Sequence, residues 1–302
     1  MACKGWICPM ERTKVPWDHF EECTARAGYP AFDPTMARFF AKKQEEYDKR
    51  KVEDERSGFG PSATRLLGCP RAAVIEREMD WWINPANSAM MIRGSMQHEK
   101  WEQETDEEQW TSERRFTGKL GGKDVVVVVD AHRKDWSEIL DRKFPNDFSV
   151  RFRGTEAKPD HRVQLNIARL LIAQDEEAIK EGYDPDRVKL TLWDYGIGQG
   201  DPPKALTVKH MTEAQVLQHH GGSTGKNTAK YTVENNLELL AWAEEQKRNG
   251  VEGETIAASL PMVGETQFNG DKCTKYCGVE RECSSLVKKF GYPEAVEFEG
   301  VG

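Results

Sequence analysis

The chain has 302 residues, of which 38% are hydrophobic and 31% are charged, and its formal net charge is −8. No stretch approaches the roughly 18 apolar residues of a membrane span, and the N-terminal sequence lacks the apolar region of a secretory signal. A negative net charge weakens the case for a nucleic-acid-binding protein but does not exclude one, because binding depends on the local field. We therefore expect a soluble, intracellular protein with no membrane partner.

Residues 1–30 have the spacing of a small metal-binding module. Cys3, Cys8, His19 and Cys23 follow the pattern C-x4-C-x10-H-x3-C. A helix would present the last two on one side, since they are four residues apart. Few apolar residues surround them, which favours a bound zinc ion over an independent core. The alternative is a tail of unliganded cysteines; we predict zinc.

Two further units follow this module. Residues 31–60 read as a charged helical connector, with the helix itself over 35–57 and a glycine- and proline-containing break after it. Residues 61–302 form the main predicted domain. Ser62 is placed to cap its first helix, and further helices are predicted over 71–82, 93–106, 159–182 and 232–248.

The strands of the main domain are predicted from residue 114 onward. The sequence RRFTGKLGGKDVVVVVDA is typical of a β-hairpin, in which Gly121 and Gly122 supply the positive φ of the turn. Its five valines predict a buried central strand. Further strands are predicted at SEILDRKF and KLTLWDYG. Antiparallel strands followed by helices indicate a mixed α/β fold, with one sheet flanked by helices.

Asp141 and Lys143 close one of these strands. Residues two apart on a strand point to the same face, so their side chains can share one reaction centre. Hydrolysis of a phosphodiester needs a hard divalent cation held by carboxylates, and a lysine can orient water or stabilise developing charge. An ordinary surface ion pair would have the same Asp-x-Lys sequence, so this pair alone is weak evidence for a catalytic site.

A second carboxylate must come from the neighbouring strand. Asp130 ends the valine strand, and the hairpin turns it towards Asp141. Asp124 is the rival, because it follows Gly121 with a G-x-x-D spelling. The GGKD stretch is better used as the turn, so we prefer Asp130.

Two helices supply the remaining candidates. His98 lies on the predicted helix over 93–106, and imidazole is a good additional ligand for ions such as Mn²⁺. Gln164 and Arg169 lie on the helix after the strand, where they could hold a phosphate or the lysine. Each alone is more often a surface or core residue; the ordered set is much less expected by chance.

This set resembles the RecB-like branch of the PD-(D/E)XK nuclease superfamily. The matching motifs are G-x-x-x-H-E from Gly94 to Glu99, the aspartate Asp130, the triplet Asp141 to Lys143, and QLNIARLL from Gln164. The resemblance implies a restriction-endonuclease-like core sheet, with His98, Asp130 and Asp141 holding Mg²⁺ or Mn²⁺. Two positions depart from the family pattern: Val127 stands where glycine is usual, and Ala168 stands where tyrosine is usual.

Cysteines near the two ends of the main domain form a second pattern. Cys273, Cys277 and Cys283 have the spacing C-x3-C-x5-C, and Cys69 lies about two hundred residues upstream. Four thiolates can hold zinc or an iron–sulfur cluster, and the spacing leaves both open. SATRLLGCPR with the later triplet resembles CRISPR-associated RecB-like exonucleases and the AddB nuclease domain. That resemblance implies a [4Fe–4S] cluster that staples the domain, although the usual triplet begins C-x2-C.

The resemblance implies a metal-dependent deoxyribonuclease, an exonuclease on single-stranded DNA ends. Its setting would be recombination, phage DNA processing or CRISPR adaptation, with a protein partner in such a complex, in the cytoplasm of a bacterial, archaeal or phage-infected cell. The alternative is a non-catalytic DNA-binding or adaptor subunit; the intact Asp-x-Lys pair argues against it.

Overall fold

The structure of the protein is a computed structural model. It describes residues 3–8, 13–16, 19, 39, 42–43, 46, 61–83, 94, 96–143, 156–194, 204–220, 232–261 and 277–291. The predicted connector helix over 35–57 therefore lies mostly outside the described residues. Among the helices of the described part, none has the length and apolar character that crossing a membrane requires.

The main sheet has five strands in the order β4-β5-β6-β7-β8. These strands are β4 (Trp110–Leu120), β5 (Lys123–Arg133), β6 (Glu138–Lys143), β7 (Lys189–Asp194) and β8 (Lys204–Val208). β6 and β7 run parallel, and the other neighbours run antiparallel. Helices pack against this sheet, so the predicted mixed α/β class is confirmed.

The hairpin of β4 and β5 turns at the two predicted glycines. Gly121 has φ +55° and Gly122 has φ +76°, values that suit glycine and few other residues. Along the valine strand, Val127 and Val129 are each 4% exposed, whereas Val128 is 43% exposed. The prediction of a strand buried throughout was therefore too broad, because alternate side chains point to opposite faces.

A second sheet joins the N-terminal residues to the main domain. Its order is β2-β1-β3, formed by β1 (Cys3–Ile7), β2 (Lys14–Pro16) and β3 (Trp81–Ile83). β1 runs parallel to β3. The helix predicted over 71–82 therefore ends early, at Glu78. Pairing with β1 and burial of the Trp81 ring, 4% exposed, favour the extended backbone.

The helix predicted over 159–182 consists of two helices, α4 (Pro159–Ile172) and α5 (Glu176–Lys180). Asp175 accepts a hydrogen bond from the backbone N–H of Ala178 at 2.8 Å and so caps the second helix. Between them, the side chain of Gln174 donates to the carbonyl of Lys119 at 2.8 Å. A bond to the neighbouring strand and a new cap explain the break.

The remaining helices are α1 (Ala63–Leu66), α2 (Pro70–Glu78), α3 (residues 96–103), α6 (Glu213–Leu217), α7 (Val233–Arg248), α8 (Gly253–Ser259) and α9 (Glu280–Phe290). The Ser62 side chain accepts from Arg65 N–H, as the predicted N-cap requires. α2, α8 and α9 pack against one another. In this way the C-terminal helix lies beside the first helices of the main domain.

Candidate metal centre

Three carboxylates lie in a row across β4, β5 and β6. The pairing of Ala131 with Leu140 places Asp130 opposite Asp141. The pairing on either side of Glu113 places that residue opposite Asp130 in the hairpin. Residues opposite each other in an antiparallel pair lie on the same face of the sheet. One face of the sheet therefore gathers carboxylates from three neighbouring strands.

His98, on α3, lies over this row. Its Nδ1 is 3.6 Å from Oδ2 of Asp130. One ligand atom from each of His98, Glu113 and Asp130 lies within 4.8 Å of the other two. Burial lowers the pKa of His98, and Lys143 lowers it further. The imidazole is therefore neutral at neutral pH, which is the form that binds metal ions.

Asp141 is the most buried member of the group, at 5% exposure. Its Oδ1 accepts a hydrogen bond from Nζ of Lys143 at 3.0 Å. Its Oδ2 is buried and has no hydrogen-bond partner among the residues that the structure describes. Burial raises the pKa of Asp141 to about 6; Lys143 opposes this shift and Asp130 adds to it. A buried carboxylate oxygen without a donor is costly, and a divalent cation would satisfy it.

Lys143 links the carboxylates to α4. Its Nζ donates to Oε1 of Gln164 at 3.2 Å as well as to Asp141. Burial lowers the pKa of Lys143, but the charges of Asp141 and Asp130 outweigh this effect and the pKa is raised. The group is therefore an ammonium ion at neutral pH. It can donate hydrogen bonds and stabilise negative charge, but it does not act as a base.

The structure brings Asp130, and not Asp124, next to Asp141. Oδ2 of Asp130 accepts the backbone N–H of Arg142 at 2.7 Å, and burial raises the pKa of Asp130. Asp124 lies near the hairpin turn, where it is exposed and pairs with Lys119 at 2.9 Å. The preference for Asp130 thus agrees with the geometry, because Asp124 lies six residues away along β5, roughly 20 Å from Asp130, at the hairpin end.

Arg169 does not reach the site, although the sequence analysis named it as a candidate to hold a phosphate or the lysine. It is 6% exposed and donates to the carbonyls of Pro185 at 2.9 Å and Met211 at 2.6 Å. The prediction that it holds a phosphate or the lysine was wrong. Its Nη1 and Nη2 connect the segments before β7 and after β8 to α4, so this arginine stabilises the fold.

The cysteines of the proposed staple are only partly described. Cys69 is the N-cap residue of α2, and its Sγ is 3.9 Å from the carbonyl oxygen of Pro261. Cys283 is buried on α9, Cys277 is partly buried, and Cys273 lies outside the described residues. Helices α2 and α9 are in contact. No three cysteine sulfurs in the described ranges lie within 4.8 Å of one another.

The predicted N-terminal zinc site is not assembled in the described residues. Cys8 is 1% exposed beyond the end of β1, whereas His19 is exposed. Cys23 and the side chain of Cys3 lie outside the described part of the chain. The zinc site stays a prediction.

Glu113 is the residue that the sequence reasoning missed. Its backbone has φ +51°, which is uncommon outside glycine and accompanies functional sites more often than ordinary strands. Counting back from the turn at Gly121 and Gly122 would have placed it opposite Asp130. Motif spelling does not single out Glu113, because its signal lies in the hairpin register.

We expect Glu113→Gln to weaken Mn²⁺ binding by roughly 10-fold, since one of the three grouped ligand atoms loses its charge. Isothermal titration of Mn²⁺ into the purified protein measures this. Glu108→Gln is the matched control, because this glutamate is exposed just before β4. Equal Mn²⁺ affinity in the two variants would remove Glu113 from the site.

No family model matches the chain, and no curated protein matches it. One solved structure to which the chain is similar is the crystal structure of SSO0001. The two are 17% identical with a TM-score of 0.36, over 56% of this chain and 78% of that chain. A likeness of this size carries no argument about fold or function.

Proposed function

We propose that the protein is a Mg²⁺- or Mn²⁺-dependent deoxyribonuclease that degrades single-stranded DNA from its ends. One observation carries most of the proposal: Oδ2 of Asp141, which has no hydrogen-bond partner in the described part of the chain, is buried beside Lys143 and across from Asp130. A bound cation would stabilise the ionised form of this oxygen, and the set of carboxylate oxygens and one imidazole suits a hard divalent ion. The action on single-stranded ends rests on the family resemblance alone.

Asp130, Asp141 and His98 would hold the metal, with Glu113 as an additional ligand at the exposed side. When bound, the ion would activate water and offset charge on the phosphoryl oxygens. Lys143 is a fixed ammonium ion next to these ligands, so it would orient the attacking water and stabilise the charge that develops on the phosphate. Gln164 would position Lys143 by accepting a hydrogen bond from its ammonium group.

The cofactor part of the proposal is a [4Fe–4S] cluster held by Cys69, Cys273, Cys277 and Cys283, with a structural role. Support comes from the packing of α2, α8 and α9, which carries Cys69 and Cys283 into one region although they are far apart in sequence. Thiolates are the ligands such clusters take. We also propose zinc for the N-terminal group of Cys3, Cys8, His19 and Cys23, and a protein partner in DNA processing.

A cleavage assay tests the nuclease proposal directly. Purified protein is incubated with end-labelled single-stranded and duplex DNA, with Mn²⁺, with Mg²⁺ and with a chelator. We expect metal-dependent shortening of the single strand from an end. Tight DNA binding without cleavage in any metal would favour the adaptor subunit instead.

Metal binding should depend on pH through Asp141. Its pKa is raised to about 6 in the metal-free protein, and only the ionised carboxylate binds a cation. Affinity for Mn²⁺ should therefore be constant above that pH and fall by about tenfold per pH unit below it. Titrations at several pH values measure this.

The pH profile of DNA cleavage gives a second check on the role of Asp141. Because Mn²⁺ competes with the proton for Asp141, higher Mn²⁺ should move the acidic limb of the cleavage profile to lower pH. An affinity that stays the same from pH 7.5 to pH 5 would contradict the role of this buried carboxylate.

A further inference from the structure

Arg71 is a fully buried arginine, with 0% of its surface exposed. It lies in the first turn of α2, two residues after Cys69. A guanidinium group remains charged at any pH the fold survives. Removing that charge from water is unfavourable unless a negative group and hydrogen bonds compensate it. The partners of Arg71 should therefore reveal where negative charge is expected.

Two of its three hydrogen-bond partners are neutral. Nε donates to the carbonyl oxygen of Leu260 at 2.7 Å, and Nη2 donates to that of Ala258 at 2.9 Å. Nη1 donates to Sγ of Cys283 at 3.8 Å. Within the described residues, no carboxylate forms an ion pair with Arg71. The sulfur is thus the one partner in this set that can carry a negative charge.

The neighbouring carboxylate is not a partner of Arg71 within the described residues. Glu282 precedes Cys283 on α9 and is 6% exposed, and the hydrogen bonds of the Arg71 guanidinium go to Leu260, Ala258 and Cys283 instead. The sulfur of Cys283 is therefore the contacting group at which negative charge would balance Arg71.

The residues around Arg71 come from both ends of the main domain. Sγ of Cys69 lies 3.9 Å from the carbonyl oxygen of Pro261, which directly follows the end of α8, where Arg71 contacts the carbonyls of Ala258 and Leu260. The same guanidinium reaches Cys283 on α9. Arg71 thus lies between one cysteine from the start of the domain and another from its end.

We propose that Arg71 balances the charge of a metal centre bound by these cysteines and positions Cys283 as its ligand. This inference rests on the proposed [4Fe–4S] cluster. Metal-bound thiolates would supply the negative charge that balances the buried guanidinium. Its Nε and Nη2 are held by the carbonyls of Leu260 and Ala258 at the end of α8. Hydrogen bonds and positive charge at a ligand sulfur favour the reduced cluster and strengthen metal retention. Arg71 is a positioning residue, not a ligand.

Arg71→Met and Arg71→Lys test this in anaerobically purified full-length protein. Iron and sulfide per chain, iron release to a chelator and the midpoint reduction potential are measured. We expect Arg71→Met to release iron roughly 10- to 100-fold faster than the wild type and to have a more negative potential. Arg71→Lys keeps the charge and should fall between the two.

Arg77→Met is the matched control. Arg77 is a nearly buried arginine on the same helix, but it pairs with the carboxylates of Glu78 and Glu244, and no cysteine is among its partners in the described part of the chain. The Arg77→Met variant should leave iron release and potential unchanged. If Arg71→Met retains iron as long as the wild type and at the same potential, the inference is wrong.

A measurement on the wild type covers the case in which Arg71→Met does not fold. Protein labelled with ¹⁵N-arginine is reduced, and pulsed electron paramagnetic resonance detects nitrogens coupled to the cluster. An arginine ¹⁵N coupling that disappears in Arg71→Lys supports the role, and its absence in the wild type overturns it. Wild-type protein without iron would contradict the cofactor proposal and this inference together, while the cleavage assay would still test the nuclease separately.

Discussion

Asp141→Ala and Lys143→Ala should each lower the rate of DNA cleavage by roughly 10³-fold or more, because in the proposed mechanism each removes a group that acts on the reacting phosphate. Asp141 would offer its buried Oδ2 to the metal, and Lys143 donates to its other oxygen, Oδ1, at 3.0 Å. Single-turnover cleavage of an end-labelled single strand in Mn²⁺ measures the loss.

Folding should survive both changes. The ionised form of Asp141 is already disfavoured by burial, which raises its pKa to about 6, so its removal takes away an unfavourable group. Lys119→Ala is the matched control for the lysine, since Lys119 is an exposed residue on β4 that pairs with Asp124. Circular dichroism should be close to wild type in all three, and only Lys143→Ala should unfold at a lower temperature, because it leaves Oδ1 of the buried Asp141 without its donor. Metal-dependent cleavage retained in both site variants would remove the nuclease assignment.

Asp130→Asn should have the second largest effect on Mn²⁺ binding and cleavage, and Asp124→Asn is its matched control. Both residues are aspartates of β5 and both were candidates for the first metal carboxylate. Asp130 lies opposite Asp141 and next to His98, so its amide variant should lose Mn²⁺ binding by roughly 10- to 100-fold and lose cleavage with it. Asp124 is exposed near the turn, and its variant should bind Mn²⁺ as the wild type does.

Titration calorimetry and the cleavage assay on the same two preparations give this comparison. The backbone N–H of Arg142 donates to Oδ2 of Asp130 at 2.7 Å, and an asparagine oxygen can accept the same bond, so Asp130→Asn should remain folded. The reverse outcome, with Asp124→Asn inactive and Asp130→Asn active, would move the metal site to the hairpin end.

The local sequence was enough to predict the β4–β5 hairpin and the pair of Asp141 and Lys143 on the neighbouring strand. Gly121 and Gly122 take the positive φ that their turn requires, because glycine alone meets no steric penalty there. Alternation along β6 was also enough to place Asp141 and Lys143 on one face, where they form an ion pair. The mixed α/β class followed from the order of such segments.

Features that depend on distant contacts were missed. The end of α2 is set by β3, which pairs with the N-terminal strand β1. The secondary-structure propensity of the residues around Trp81 cannot predict this pairing. The partners of Arg169 are backbone carbonyls of two separate segments, so nothing near it in sequence separates it from a phosphate-binding arginine. The neighbours of Arg71 lie some two hundred residues away, beyond any local pattern.

The most direct test of the nuclease proposal is cleavage of an end-labelled single-stranded oligonucleotide by the wild type and Asp141→Asn, side by side, over a Mn²⁺ titration. Asparagine preserves the shape of the side chain while it removes the charge of the buried oxygen. The proposal requires cleavage by the wild type that rises with Mn²⁺ and stops with a chelator, and no cleavage by Asp141→Asn at any Mn²⁺ concentration. Equal cleavage by the two proteins, or none by a wild type that binds Mn²⁺, would contradict it.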